Sequence, residues 1–313
     1  MINKKYKILC AGGAGFIGSN LTDKLLELGH DVTVVDDFST GSYSNLENAT
    51  KSKNFRSIKL DISSKNAETD LVEICQGIDY IFHLAAIPRT QYCVENPVAC
   101  NQANVTGTIN LLEAARKNKV KKVILSASCA AYGPGHDDEE VVETASINLG
   151  TPYAAQKYMQ ELYTKLYTDL YSLPSVILRY FNVYGTKRQA EAGTYPNVIA
   201  AFNKAKKTDG KIYVTGTGEQ SRDMVHVYDV VDANIAAMES EIGNGEVFNV
   251  GTGSAVTVNE VAKYFDCPIE YIPARPGEAF RLCANITKIN SLLKWKAKIP
   301  FSEGINIYLS QLN

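Results

Sequence analysis

Lys7-Ile8-Leu9-Cys10-Ala11 runs into Gly12-Gly13-Ala14-Gly15-Phe16-Ile17-Gly18, and from Ser19 apolar residues recur at helical spacing, Leu21, Leu25, Leu26 and Leu28, as far as Gly29. A short, wholly apolar run is a buried strand, and the spacing after the glycines is that of an amphipathic helix. Asp31-Val32-Thr33-Val34-Val35-Asp36 supplies a second apolar run. The opening of the chain therefore predicts a strand, a glycine turn, a helix and a parallel strand, joined by a right-handed crossover.

Glycines at 12, 15 and 18 give the spacing G-x-x-G-x-x-G. Without side chains there, the backbone can approach a pyrophosphate, whose charge then sits at the N-terminus of the helix. Asp36, 18 positions beyond Gly18, closes the second strand, where a carboxylate can accept hydrogen bonds from adenosine ribose hydroxyls. It would repel a 2′-phosphate, and no Arg or Lys stands between Asp36 and Asn48 to receive one. The expected cofactor is NAD rather than NADP.

Further apolar runs follow at Ser57–Leu60, Tyr80–Leu84, Lys122–Leu125 and Ser175–Arg179, with helical segments between them, and Val247–Gly251 reads as one more parallel strand. Such alternation builds an open, mostly parallel sheet. The predicted fold class is α/β, a Rossmann-type doubly wound parallel sheet with a smaller mixed α/β substrate-binding domain. The expected division is 1–180 plus about 225–252 for the NAD-binding domain, and about 181–224 with 253–313 for the other. After Gly185 the alternation gives way to Gly- and Lys-bearing stretches. Tyr213 to Asp223 and Pro273 to Glu278 read as irregular segments that bring arginines to an anion. In sheets of this kind ligands gather beyond the carboxyl ends of the strands, at Asp61-Ile62, Leu84-Ala85-Ala86 and Ser126-Ala127-Ser128. His83, inside an apolar strand end, reads as a packed core group.

The composition restricts the partners. A net charge of −2 and a pI near 6.1 provide no basic field for nucleic acid or an anionic membrane, so a phosphate must be met by local groups. Seven cysteines, with no C-x-x-C pair, argue against a disulfide framework and a zinc site, so the thiols are expected reduced and no metal is expected. The residues before the glycines are too few for a signal-peptide core. No apolar run approaches the roughly 18 residues needed to span a bilayer, and a cytoplasmic protein is expected.

Thr151-Pro152-Tyr153-Ala154-Ala155-Gln156-Lys157 opens a further predicted helix, with a phenol and an ammonium four residues apart on one face. A nearby cation favours the phenolate and lowers the phenol's pKa from about 10, so Tyr153 could exchange a proton with a substrate hydroxyl. The predicted helix from Pro97 to Lys117, which carries Asn101, Asn104 and Thr108, is apolar on more than one side. Together with the helix Tyr153–Leu170 it would pair with its copy in a homodimer, or both would be buried in one subunit.

These elements occur in one order: the glycine turn, Asp36, Ser128, Tyr153-x-x-x-Lys157, Arg179-Tyr-Phe-Asn-Val-Tyr-Gly185 and Arg222-Asp223. In that order the chain resembles the extended short-chain dehydrogenase/reductase family over nearly its whole length, with its closest likeness to NAD-dependent nucleotide-sugar epimerases of the UDP-glucose 4-epimerase kind. The resemblance implies that Tyr153 is the acid/base, that Lys157 holds the nicotinamide ribose, and that Ser128 hydrogen-bonds the reacting hydroxyl. It implies a cofactor site lined by Gly12, Gly15, Phe16, Ile17, Gly18, Asp36, Asp61, Ile62, Leu84, Ala85, Asn104 and Tyr180 together with Tyr153 and Lys157. Asn182, Asn197, Arg222 and Arg275 would hold the nucleoside diphosphate with Glu278 near its ribose, while Arg89, Tyr213 and Leu282 would complete the substrate site.

Family dehydratases carry Asp-Glu after the serine, where this chain has Cys129-Ala130, so no second proton carrier stands there. Cys129 reads as structural. Thr186-Lys187-Arg188 and Pro88-Arg89-Thr90 depart from the usual 4-epimerase runs and bear on the choice of sugar. The implied reaction is inversion at C4 through a 4-keto sugar. A UDP-GlcNAc 4-epimerase, a net dehydrogenase or reductase, and a non-catalytic NAD-binding protein are the alternatives.

Overall fold

The computed structural model describes residues 4–134, 140–189, 198–274 and 280–312, and the chain divides into two compact units. The first comprises Met1–Ala131, Thr151–Arg179 and Val231–Phe248; the second comprises Tyr132–Gly150, Tyr180–Val230 and Asn249–Asn313.

In the first unit, β1 (Lys7–Ala11), β2 (Asp31–Asp36), β3 (Phe55–Lys59), β4 (Tyr80–His83), β5 (Lys122–Ser128), β6 (Ser175–Tyr180) and β7 (Asn244–Val250) form one sheet in the order β7-β6-β5-β4-β1-β2-β3. β1 pairs in parallel with β2 and β4, β2 with β3, and β4 with β5. This is the Rossmann-type parallel sheet predicted. Its direction of travel reverses between β1 and β4, where sheets of this class open a ligand crevice. Ile8, Leu9, Cys10 and Ala11 are fully buried, as are Val34 and Val35, because helices cover a parallel sheet on both faces and leave no position for a polar residue.

Two helices bear on the site. The helix Pro152–Tyr171 starts at Thr151, whose Oγ1 accepts the Ala154 N–H at 3.2 Å, with Pro152 in the first turn, and stops at Ser172 in the left-handed region, φ 54°. The stretch predicted as one helix from Pro97 to Lys117 is α-helical over Pro97–Asn101 and Gly107–Lys117, with a π-helical turn at Gln102–Thr106 between. Side chains intrude there: the Asn104 carbonyl accepts from Thr108 Oγ1 at 2.6 Å and Gln160 Nε2 at 2.7 Å, which widens the backbone ladder.

The expectation that every cysteine is a reduced thiol is corrected at one place. Cys93 and Cys100 form a disulfide with Cα atoms 5.5 Å apart. The short helices Thr90–Glu95 and Pro97–Asn101 bring them together, a proximity that spacing along the chain does not encode.

In the second unit the strand Ser221–His226 pairs in parallel with Asn182–Tyr184 and Arg281–Ala284, and antiparallel with Ala255–Thr257. Glu140–Val141 adds to Arg281–Ala284, which draws Tyr132–Gly150 into this unit, a detour outside the boundaries expected from sequence. Ile212–Thr215 pairs in parallel with Ile269–Ile272. The stretch from Tyr213 to Asp223, expected to be irregular, is strand at both ends, 213–215 and 221–223, and irregular between. Its polar letters hide this because Asp223, fully buried, is satisfied by Thr252 N–H at 2.8 Å, Thr252 Oγ1 at 2.7 Å, Gly253 N–H at 3.0 Å and Ala284 N–H at 3.2 Å. Among the described residues no helix is long and apolar enough to cross a membrane.

Candidate functional site

The glycine turn is built by backbone packed on backbone. A side chain at Gly12, whose φ is +80°, would set its Cβ 2.5 Å from the Ala85 nitrogen and 2.7 Å from the Leu84 carbonyl carbon; one at Gly18 would lie 2.1 Å from the Gly12 oxygen. Neither neighbour can yield. Gly15 starts the helix Phe16–Glu27 with no side-chain cap. A turn that excludes Cβ atoms and leads into an uncapped helix start fits the pyrophosphate of NAD.

Asp36 is only 7% exposed, and its carboxylate accepts the Ala14 N–H at 2.9 Å and the Phe38 N–H at 2.8 Å. Burial pushes its pKa up, and those two bonds pull it back. Besides the ribose role expected of it, Asp36 therefore ties the glycine turn to the end of β2. Phe38, at φ 61°, stacks on Tyr43 with ring centroids 3.8 Å apart, an aromatic platform beside Asp36 that the sequence reading missed. The Asp61 carboxylate accepts Ser63 N–H and Oγ, which shapes the turn after β3, and Ile62 is buried.

Ser128 ends β5, with its side chain beside the Tyr153 phenol. Burial pushes that phenol up to about 12, with Ser128 opposing. Lys157 Nζ donates to the Ser126 carbonyl at 2.8 Å, and its pKa is drawn down to about 8, mainly by burial, with Glu161 opposing. Among the protein's own groups desolvation dominates both side chains, raising the phenol and lowering the ammonium.

Around this pair the polar groups are braced. Asn104 is fully buried, its Oδ1 accepting the Ile87 N–H at 2.7 Å and its Nδ2 donating to Gln156 Oε1 at 3.0 Å. It ties the stretch after Leu84 and Ala85 to the helix that carries Tyr153 and Lys157. His83 meets Thr108 Oγ1 at 2.7 Å, and burial lowers its pKa to about 3, so it is a neutral core group. Arg89, half-buried, precedes the helix Thr90–Glu95.

In the second unit, Asn182 Nδ2 donates to the Asp223 carbonyl at 3.3 Å, and Arg222 Nη1 to the Ser221 carbonyl at 2.8 Å. Leu282 is 5% exposed. Tyr213 has Lys211 Nζ 5.4 Å from its ring centroid, and the neighbouring Asp209 raises the pKa of its phenol. Tyr180 is buried at the end of β6. Asn197, Arg275 and Glu278 lie outside the described residues. Among the described residues no cluster of His, Cys, Asp and Glu could hold a metal ion.

The NAD dependent epimerase/dehydratase family matches residues 8–251. UDP-glucose 4-epimerase of Mycolicibacterium smegmatis is 36% identical over 310 residues, covering 96% of each chain. Among solved structures, UDP-N-acetylglucosamine 4-epimerase from Methanobrevibacter ruminantium, in complex with UDP-N-acetylmuramic acid, superposes with a TM-score of 0.91 at 34% identity, over 99% of this chain and 98% of that one. UDP-glucose 4-epimerase from Thermotoga maritima, with UDP-glucose, gives 0.90 at 35% identity over 98% of each chain.

Proposed function

Since the chain belongs to the NAD-dependent epimerase/dehydratase family and has NAD as its cofactor, we propose that it inverts C4 of a UDP-linked hexose, interconverting UDP-glucose and UDP-galactose through a 4-keto sugar. The observation that carries this reading is the Tyr153 phenol beside Ser128 at the end of β5, with Lys157 one helical turn on and Cys129-Ala130, rather than carboxylates, after the serine. NAD, when bound, supplies a reversible hydride acceptor for C4. Tyr153 takes the proton from O4 and returns it after the sugar has turned its other face, Ser128 orients O4, and Lys157 holds the cofactor ribose and stabilises the phenolate. Without a carboxylate beside Ser128, neither elimination nor a second proton transfer has a carrier.

Asn182 and Arg222 would grip the diphosphate together with Asn197 and Arg275, with Glu278 near the nucleotide's ribose. Tyr213 and Arg89 flank the nucleotide and sugar in this assignment. A second reading, an acetamido-sugar 4-epimerase, draws on the likeness to the Methanobrevibacter enzyme and turns on Leu282.

The protein is assigned to the cytoplasm as a homodimer. Met159, Leu162, Leu166 and Leu170 form an exposed apolar stripe on the helix Pro152–Tyr171, and Val98 on Pro97–Asn101 is 82% exposed. Such a stripe on neighbouring helices suits a second copy of the same faces.

The test is product analysis by NMR after incubation with a panel of UDP-, GDP-, ADP- and CDP-sugars. UDP-glucose and UDP-galactose should interconvert with no added NAD and no steady growth of reduced-nicotinamide absorbance. Net absorbance change would make the enzyme a dehydrogenase, and bound NAD with no sugar converted would make it a binding protein.

A further inference from the structure

Glu161 and Arg179 form an ion pair inside the first unit, each side chain 4% exposed. Arg179 Nε lies 3.0 and 3.1 Å from the two Glu161 oxygens, and Nη2 lies 2.7 Å from Oε2. Burying two charges is a poor way to add stability, since apolar residues of the same volume commonly do as well. The pair's position suggests another use. Tyr153, Lys157 and Glu161 stand four residues apart in succession, on one face of the helix Pro152–Tyr171.

Lys157 is almost wholly buried, and the Ser126 carbonyl to which it donates accepts equally from an amine or an ammonium and carries no net charge. The groups facing it are Tyr153 and Glu161 on its own helix, Ser126 on β5, His83 on β4, which is neutral, and Arg179 on β6 behind Glu161. Of these, Glu161 brings the negative charge. It raises the proton affinity of Lys157 against desolvation, and Lys157 in turn favours the ionised form of Glu161. Burial raises the pKa of the Glu161 carboxyl, and the Arg179 guanidinium opposes that with fork-shaped donors and with charge.

We propose that Glu161, clamped by Arg179, is a positioning residue that holds Lys157 as an ammonium directed at the Ser126 carbonyl. Tyr153-x-x-x-Lys157-x-x-x-Glu161 with Arg179 is then one working unit, in which the ion pair acts on the reaction through Lys157. The inference rests on the roles given above to Tyr153 and Lys157.

The direct measurement is the Nζ titration of Lys157 by 15N NMR in the NAD-loaded protein, its signal assigned by its loss in Lys157→Arg. Glu161→Gln should lower the midpoint by about one pH unit or more, and the high-pH limb of the turnover profile should shift with it. Glu161→Gln with Arg179→Met removes both charges and strands neither, so it should melt close to wild type and still show the lowered midpoint. That double variant decides the matter if the single one does not fold. An unchanged Lys157 midpoint in the folded double variant overturns the proposal and leaves the pair a purely structural one. Should Tyr153→Phe keep its turnover, the reading of the catalytic groups fails instead, while the Lys157 titration still reports on Glu161 independently.

Discussion

Arg222 and Leu282 are register partners on adjacent parallel strands, Ser221–His226 and Arg281–Ala284. Paired residues of a ladder share a face, so the charge assigned to the diphosphate and the side chain assigned to limit the sugar at C2 are neighbours by construction. Leu282 is buried, and moving it aside for an acetamido group should cost about 1–3 kcal/mol, roughly a tenfold to hundredfold preference for UDP-glucose over UDP-GlcNAc. Leu282→Ser should narrow that ratio. Specificity constants for both sugars in both proteins are the check; a wild type that already favours the acetamido sugar, or a ratio that does not move, removes Leu282 from this role.

Tyr153→Phe deletes the transferable proton and keeps the ring. Turnover should fall by about a hundredfold or more, with NAD still bound at wild-type stoichiometry. A variant keeping over a tenth of the activity would take Tyr153 out of the chemistry.

Asp36 holds both the Ala14 and the Phe38 N–H groups, so Asp36→Ala should act twice. NAD should bind more weakly, with discrimination against NADP relaxed, and the fold should lose about 1–3 kcal/mol through the unsatisfied amides. Cofactor titrations and denaturant unfolding separate the two effects. Unchanged cofactor preference would mean that another group reads the ribose.

His83, buried with its pKa lowered to about 3, binds a proton more readily in the unfolded chain. Its contribution to stability is therefore complete above about pH 6.5 and is lost as pH falls toward the folded value, at up to about 1.4 kcal/mol per pH unit. Asp36, Asp223 and Glu161, raised by burial, act in the opposite sense, so the informative quantity is a difference between proteins. His83→Gln, which can still meet Thr108, should lose less melting temperature than wild type between pH 7 and pH 5. Equal losses would show that His83 titrates normally.

The apolar stripe of Met159, Leu162, Leu166 and Leu170 gives a test of assembly. Wild type should sediment as a dimer, and Leu162→Glu with Leu166→Glu should sediment as a folded monomer. A dimer that survives both charges would place the interface elsewhere.

Sequence alone determined the scaffold. β1 and β2 fall on the residues predicted, Lys7–Ala11 and Asp31–Asp36, because a strand covered on both faces must be written as an unbroken apolar run. Gly12 and Gly18 were legible for a related reason, since a contact of backbone on backbone leaves no room for a Cβ. Tertiary structure decided what depends on partners distant along the chain. The strand Ser221–His226 was hidden because its buried Asp223 is satisfied by Thr252, Gly253 and Ala284. The Cys93–Cys100 bond depends on how two short helices meet, and the π-turn at Asn104 on Gln160 reaching across from another helix. Spacing along a helix shows which charge lies near Tyr153, whereas the desolvation that pushes its phenol up to about 12 arises only in the folded chain.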